Sequence, residues 1–320
     1  MSSTDRNPAG AANSHGPEVV CTGIAVLDAV FRVPQFPVPE VKTQASEFMI
    51  TSGGCAANAA VAIARLGGRA RFAGPLGGPP GAEAIGDRIV AALADAQVDC
   101  VACPRLPGVA SSMSSICIDP RGERAIVNYR DDRLAAVRPS EPSTIVATAD
   151  AVLADNRFAE FVLPICEAAR ARGIPVVLDA DKPTHATDTL LGVASHVVFS
   201  AEGLRATAGT HDLGAGLERI AATSSAFLAA TDGANGMFWL VPGTRGGSRR
   251  MAAFEIRAID TLAAGDVFHG AFALALAAGR PESDAMRFAA AAAAIKCTRF
   301  GGITGAPTAA EVAAFMAARP

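Results

Sequence analysis

The stretch Asp260–Gly270, DTLAAGDVFHG, ends a run of small residues with a carboxylate where an alanine-rich helix begins. The first amides of a helix lack intrahelical acceptors and carry the positive end of its dipole, so they attract phosphate. Ala263, Ala264 and Gly265 are small enough for a polyphosphate to approach that backbone. Asp266, when ionised, accepts hydrogen bonds only and can take a proton from an attacking hydroxyl. A phosphate cradle beside a base is what phosphoryl transfer to an alcohol requires. Taken alone, Asp266 is equally a residue that merely caps its helix. A second stretch, SGGCAANAAVAIARLGGRARFAGPLG, sets Gly53 and Gly54 before another helix, with Asn58 in its first turn.

These residues need a frame, and the chain supplies alternating strands and helices. VVCTGIAVL reads as one buried strand, followed by the helical CAANAAVAIARLG with its glycine stop. AEAIGDRIVAALADA is an amphipathic helix before the strand QVDCVAC. AVLAD, PVVLDAD and HVVFS are short strands, with the helix EFVLPICEAARARG between the first two. FLAATDGANGMFWLV starts as a strand and turns at its glycines, and FEIRAID reads as a strand before Asp266. Two alanine-rich helices follow, around 265–278 and 284–298. Such alternation predicts an α/β fold, a mostly parallel sheet covered on both faces. The segments 29–50 and 112–130 do not alternate with helices and predict a small antiparallel lid, with DPRGE turning a hairpin. Ligands of open α/β sheets bind beyond the carboxyl ends of the strands, where Asp28, Asp155, Asp179 and Thr231 stand. No G-x-x-x-x-G-K-[ST] occurs, and GAGLER at 214–219 lacks the third glycine of a dinucleotide fingerprint.

Composition bounds the reading. The 320 residues, half of them apolar and 18% charged, suit a folded globular chain. A formal net charge of −3 argues against a nucleic-acid partner, whose affinity would rest on basic surface. No apolar run approaches the ~18 residues of a membrane span, and the first residues lack a secretory h-region. Residues 1–17 read as a flexible tail before one domain over 18–320, and the expected location is cytoplasmic. Seven scattered cysteines, with one C-x-x-C at Cys100 and Cys103, read as reduced thiols rather than a zinc site.

The two stretches together resemble the signature motifs of the ribokinase, or phosphofructokinase-B, family of carbohydrate kinases. The first is a Gly-Gly pair, an Asn four residues after the second glycine, then Gly67 and Gly77; the second is D-T-x-x-A-G-D, here Asp260 to Asp266. The resemblance runs from about residue 18 to the end of the chain. It implies a ribokinase-like fold with Asp266 as the catalytic base and the amides of Ala263, Ala264 and Gly265 as the anion hole. Asp28, Gly53, Gly54 and Asn58 correspond to sugar-hydroxyl contacts, and paired hydrogen bonds suit that role chemically. TDGANG, with Thr231, Gly233 and Gly236, corresponds to the lining of the nucleotide. Asp260 and RFGGITG resemble the region that binds a monovalent cation, potassium, in many members. The resemblance further implies ATP and magnesium, and a homodimer formed through the lid.

One departure stands out. Where the family often carries N-x-x-E, this chain has Ser200 and Gly203, with Glu202 displaced by one residue, so no protein ligand for magnesium is assigned. His269, one turn after the base, and Trp239 read as packing residues, and Arg249–Arg250 as a solvated pair. Within the family the chain is most similar to bacterial kinases of 6-deoxy-6-sulfofructose, in GERAIVNY, VLADNR, VVLDAD, FSAEGL, GDVFHGA and IKCTRFGG. That likeness implies that Asn128, Arg157 and, across a one-residue gap, Lys42 hold a sulfonate; Arg suits a three-oxygen head. The alternatives are that Arg157 pairs with Asp155 or Asp179 and the sugar is neutral, as for ketohexokinase- or ribokinase-like kinases, or that the substrate is a nucleoside. A different class of reading is a sugar-binding regulator that kept the fold without the reaction.

Overall fold

Five-residue runs of valine, leucine and alanine with one aspartate each, buried along their whole length, form the middle of the molecule: AVLAD at 151–155 and VVLDA at 176–180 show no exposed position. Strands covered on both faces read as continuous apolar runs. The computed structural model describes residues 16–185, 188–240 and 247–319. The chain begins β1 (Glu18–Thr22), β2 (Val26–Arg32), β3 (Glu47–Gly53), α1 (Cys55–Arg65), β4 (Arg69–Ala73), β5 (Leu76–Gly78), α2 (Ala84–Asp95), β6 (Val98–Ala102) and β7 (Arg105–Pro107). It continues through β8 (Ser112–Ile118), β9 (Arg124–Tyr129), α3 (Pro142–Ile145), β10 (Ala151–Asp155), α4 (Ala159–Ala171), β11 (Val176–Ala180), α5 (Thr189–Val193) and β12 (His196–Ser200). The last part is α6 (Ala201–Ala208), α7 (Leu213–Ala221), β13 (Phe227–Thr231), β14 (Met237–Leu240), β15 (Arg249–Met251), α8 (Ala264–Ala277), α9 (Glu282–Cys297) and α10 (Ala309–Ala317).

Nine strands make one sheet in the order β15-β14-β13-β12-β11-β10-β1-β4-β6. Pairing is parallel from β13 to β6 and antiparallel for β14 and β15. One face packs on α1, α8 and α9 through Ile63, Phe272 and Met286, the other on α4, α6 and α7 through Phe161, Leu204 and Leu217. The second sheet, β3-β2-β8-β9, is the lid, with Val30, Ile116 and Ile118 packed under it. No helix among the described residues is long and apolar enough to cross a membrane.

Three sequence readings change. The lid is not wholly antiparallel: β2–β3 and β8–β9 are antiparallel, but the central pair β2–β8 is parallel, because β8 reaches β2 after a long crossover rather than a hairpin. VVCTGIAVL is two strands, because the chain turns at Gly23 and passes from the large sheet (β1) into the lid (β2). A side chain at Gly23 would stand 2.1 Å from the carboxylate of Asp155, so the turn depends on glycine. FEIRAID has strand composition but no ladder: residues 252–258 follow the edge strand β15 without joining a sheet. A β-favouring sequence needs a partner edge as well as composition. Of the tail reading, residues 1–15 lie outside the described residues.

Candidate active site

Gly53 ends β3 and Gly54 precedes α1. A methyl at Gly53 would lie 2.0 Å from Oδ2 of Asp28, so glycine lets the lid carboxylate sit against this backbone. Gly54 has φ +89°, a conformation that glycine adopts without penalty. Asn58 follows in the first turn of α1 and is buried. Helix α1 lies against α8 at close range, because Gly270 faces the Ala59 carbonyl with room for no side chain: a Cβ there would be 2.6 Å from it. That approach brings Asn58 Nδ2 to 2.6 Å from Asp266 Oδ2, to which it donates across 208 residues of sequence.

Asp266 sits in the first turn of α8. Burial lifts its carboxyl to about 6; the bond from Asn58 opposes this, while Asp181 and Asp28 push further up. A base with a pKa near the working pH combines a deprotonated form with useful basicity. Ala263 takes a left-handed conformation, φ +62°, and so turns the chain into the helix. Of the three expected anion-hole amides, that of Ala264 donates to the Thr261 carbonyl at 3.2 Å. Around Gly265 there is open space, with nothing within 4 Å of where a Cβ would be.

The lid contributes a polar row. Thr51, Asp28, Ser114 and Asn128 are direct cross-strand partners on β3, β2, β8 and β9, so all four point to one face. Asn128 donates to Ser114 Oγ at 3.0 Å, and the Ser114 hydroxyl works to lower the pKa of its cross-strand neighbour Asp28. Burial nevertheless lifts Asp28 to about 6. Lys42 is exposed in the segment between β2 and β3.

Beneath this row lies an acidic cluster. Asp155 and Asp179 are neighbours in register at the ends of β10 and β11. Asp155 is committed to the backbone, accepting from the amides of Ile24 (2.8 Å), Ala56 (3.2 Å) and Arg157 (2.9 Å). It therefore braces the β1–β2 turn and the start of α1. The Arg157 guanidinium pairs with Asp181, and its Nη2 also lies 3.8 Å from the Cys55 sulfur. Arg157 thus meets neither Asp155 nor Asp179 through its side chain. One donor atom each of Cys55, Asp179 and Asp266 lies within 4.8 Å of the others. Burial, with Asp181, Asp266 and Asp155 adding to it, pushes the Asp179 carboxyl well above the usual range. Among the described residues, Asp179 Oδ1, Asp181 Oδ1, Arg157 Nη1 and Asn58 Oδ1 are buried without a partner. His269 packs here, Nδ1 3.4 Å from Asp179, and burial holds its pKa down. Ser114, Asp181 and Cys55 were not singled out from the sequence; their spacing follows no motif, and only the fold gathers them.

At the ends of β12 and β13, Ser200 caps α6, its Oγ accepting from the Gly203 amide at 2.9 Å. A side chain at 203 would meet the Ala180 carbonyl at 2.6 Å, so glutamate cannot stand there, and Glu202 points outward and is exposed. Thr231 ends β13 beside Ser200, its register partner on β12, and Gly233 and Gly236 carry the following turn with φ +52° and +92°. Trp239 is buried in the core. Asp260 is buried and fully engaged: Leu262 donates to Oδ1 (2.7 Å), Gly301 and Gly302 to Oδ2 (3.0 and 2.9 Å), and Lys296 Nζ lies 3.1 Å from Oδ2.

Comparison with known proteins places this geometry. Residues 17–309 match the pfkB family carbohydrate kinase profile. The ribokinase of Haemophilus influenzae is 27% identical over 307 residues, covering 90% of this chain and 95% of that one. A fructokinase of Vibrio alginolyticus is 26% identical over 322 residues, covering 93% and 99%. A crystal structure from Agrobacterium tumefaciens, provisionally assigned as a ribokinase, superimposes with TM-score 0.89 at 37% identity, over 95% of this chain and 98% of that one. The fructokinase of Xylella fastidiosa with bound ATP gives TM-score 0.75 at 26% identity, over 94% and 98%. The chain belongs to the pfkB family of carbohydrate kinases, with a ribokinase-like fold.

Proposed function

We propose that the chain transfers the γ-phosphoryl group of ATP to a hydroxyl of a ketose, with 6-deoxy-6-sulfofructose as the favoured substrate. The observation that carries the kinase reading is Asp266, held by Asn58 at the start of α8 with its carboxyl lifted to about 6. The sugar oxygen attacks phosphorus, its bond to the bridging oxygen of ADP breaks, and the hydroxyl proton passes to Asp266. With the Ala264 amide bonded to the Thr261 carbonyl, the amides of Ala263 and Gly265 are the ones left to face the developing charge. Asp28 and the free Oδ1 of Asn58 accept from sugar hydroxyls. Thr231, Gly233 and Gly236 line the nucleotide beside Ser200.

Magnesium bound with ATP would neutralise phosphate charge. The acidic cluster suits a hard cation, since Asp179 and Asp181 each offer a buried oxygen without a partner. Cys55 suits it poorly, because burial keeps its thiol protonated. The outer face of the lid carries Phe48, Ile50, Val127 and Tyr129 exposed, opposite the face of Asp28, and a second copy of the chain is the expected cover.

The sulfonate reading rests on Arg157, whose Nη1 is buried and unpartnered, and on Asn128 in the lid row. A neutral-sugar reading draws support from Asp181, which already balances the Arg157 charge. ADP formation with sulfofructose, fructose, fructose 6-phosphate, ribose and nucleosides decides, for wild type and Arg157→Ala. Sulfofructose should be preferred, and Arg157→Ala should erase the preference. Equal use of fructose leaves only the broader sugar-kinase reading. Sugar binding without ADP formation on any substrate points to a regulator instead.

A further inference from the structure

Among the described residues, the most completely buried charged side chain outside the reacting group is Lys296, at the end of α9, with no exposed surface. Its ammonium donates to the Asp260 carbonyl at 2.8 Å and lies 3.1 Å from Oδ2 of the same residue. Through its carboxylate, Asp260 gathers the amides of Leu262, Gly301 and Gly302. The amides of Ile259 and Asp260 donate back to the carbonyl of Cys297, at 2.8 and 3.2 Å. One ion pair therefore ties three segments together: the end of α9, the loop at 301–302, and the strand of chain that enters α8 at Ala264. The first turn of that helix holds Asp266.

Isolated charges are costly to bury, and this one is retained beside a carboxylate and a carbonyl, the oxygen donors that would also hold a small monovalent cation. We propose that Lys296 is a positioning residue for phosphoryl transfer, a tethered cation that fixes the 259–264 loop and so makes turnover independent of dissolved potassium or sodium. The proposal rests on the kinase reading above. It also assigns to Asp260 a structural role in place of the cation site that its motif suggested.

The test begins with wild-type sugar phosphorylation in potassium, sodium or tetramethylammonium chloride at equal ionic strength, where turnover should agree within about twofold, the range left to general screening. Lys296→Ala should lower kcat about 10²-fold, the scale of losing one preorganised donor to the transition state, with the sugar KM nearly unchanged. Potassium or ammonium, which fit the vacated space, should restore kcat and raise the unfolding temperature of Lys296→Ala. Tetramethylammonium should do neither, and Lys296→Met, whose chain fills the space, should not respond to any of them. Wild-type turnover that rises about tenfold or more with potassium overturns the proposal. So does normal kcat in Lys296→Ala, or a loss that no small cation repairs. If Lys296→Ala does not fold, the wild-type series and Lys296→Met still decide. A wild type inert toward every sugar in every salt speaks against the kinase reading instead.

Discussion

Replacing Asp266 by asparagine separates chemistry from architecture. Asparagine has the same shape, and its Oδ1 can accept the bond that Asn58 Nδ2 now donates at 2.6 Å. It cannot take a proton from the sugar, so kcat should fall about 10²–10⁴-fold. Stability should move the other way. The carboxyl rises from 3.8 to about 6 on folding, chiefly through burial. At about 1.36 kcal/mol per unit, this is roughly 3 kcal/mol against the ionised native state, and water at the half-buried group trims it to about 1–2 kcal/mol. The sign follows from proton binding: the folded state holds the proton more tightly. The penalty is therefore absent below the unfolded pKa, grows as pH rises toward about 6, and is constant above. Asp266→Asn should match wild type in acid and unfold about 2–5 °C higher near neutral pH. Calorimetric unfolding at both conditions, with ADP release measured in parallel, tests the two halves. Near-normal turnover would remove Asp266 from the mechanism, and lower stability at neutral pH would refute the desolvation argument.

Wild-type kcat/KM should climb with pH through about 6 as Asp266 loses its proton, and a profile flat from about 5 to 8 would contradict the base assignment. Asp28→Ala should weaken sugar binding about 10–100-fold by removing a charge-assisted bond, leaving ATP affinity unchanged in calorimetry. Gly53→Ala places a methyl 2.0 Å from Asp28 Oδ2 and should weaken sugar binding about tenfold or more through displacement of that carboxylate; unchanged affinity would show that Asp28 does not need its present place. Ala263→Gly relieves a left-handed alanine at φ +62°, offset by glycine's greater freedom in the unfolded chain, so unfolding should shift by under about 1 kcal/mol with kcat retained.

The α/β alternation and the lid hairpin were legible because their signals are local: periodicity, glycine stops and the DPRGE turn. The β1–β2 break was hidden, since apolar residues continue through Gly23 and only the carboxylate of Asp155, far along the chain, dictates the turn. Asp155 looked like a ligand because it ends a strand, whereas its oxygens are taken by three backbone amides. FEIRAID misled because composition says nothing of whether an edge is available. The partner of Arg157 proved to be Asp181, one residue past the end of β11, a choice made by side-chain reach rather than by strand position. Asn58 and Asp266 were each found by motif, but their contact depends on the Gly270–Ala59 approach between helices.

The strand order has a consequence for synthesis on the ribosome. β1 lies between β4 and β10, so one of its edges is paired early and the other stays open until β10 is made. β6 ends at Ala102 and β10 begins at Ala151, an interval that takes about 3–10 s at typical elongation rates. Both lid strands β8 and β9 emerge within it, so the lid can close on β2 while half of its platform is still inside the ribosome or unmade. During those seconds the nascent chain presents an apolar parallel edge, VVC, to whatever else is nearby. Slower translation after Tyr129 would lengthen that exposure, and a chaperone that holds the β1 edge would shorten its cost.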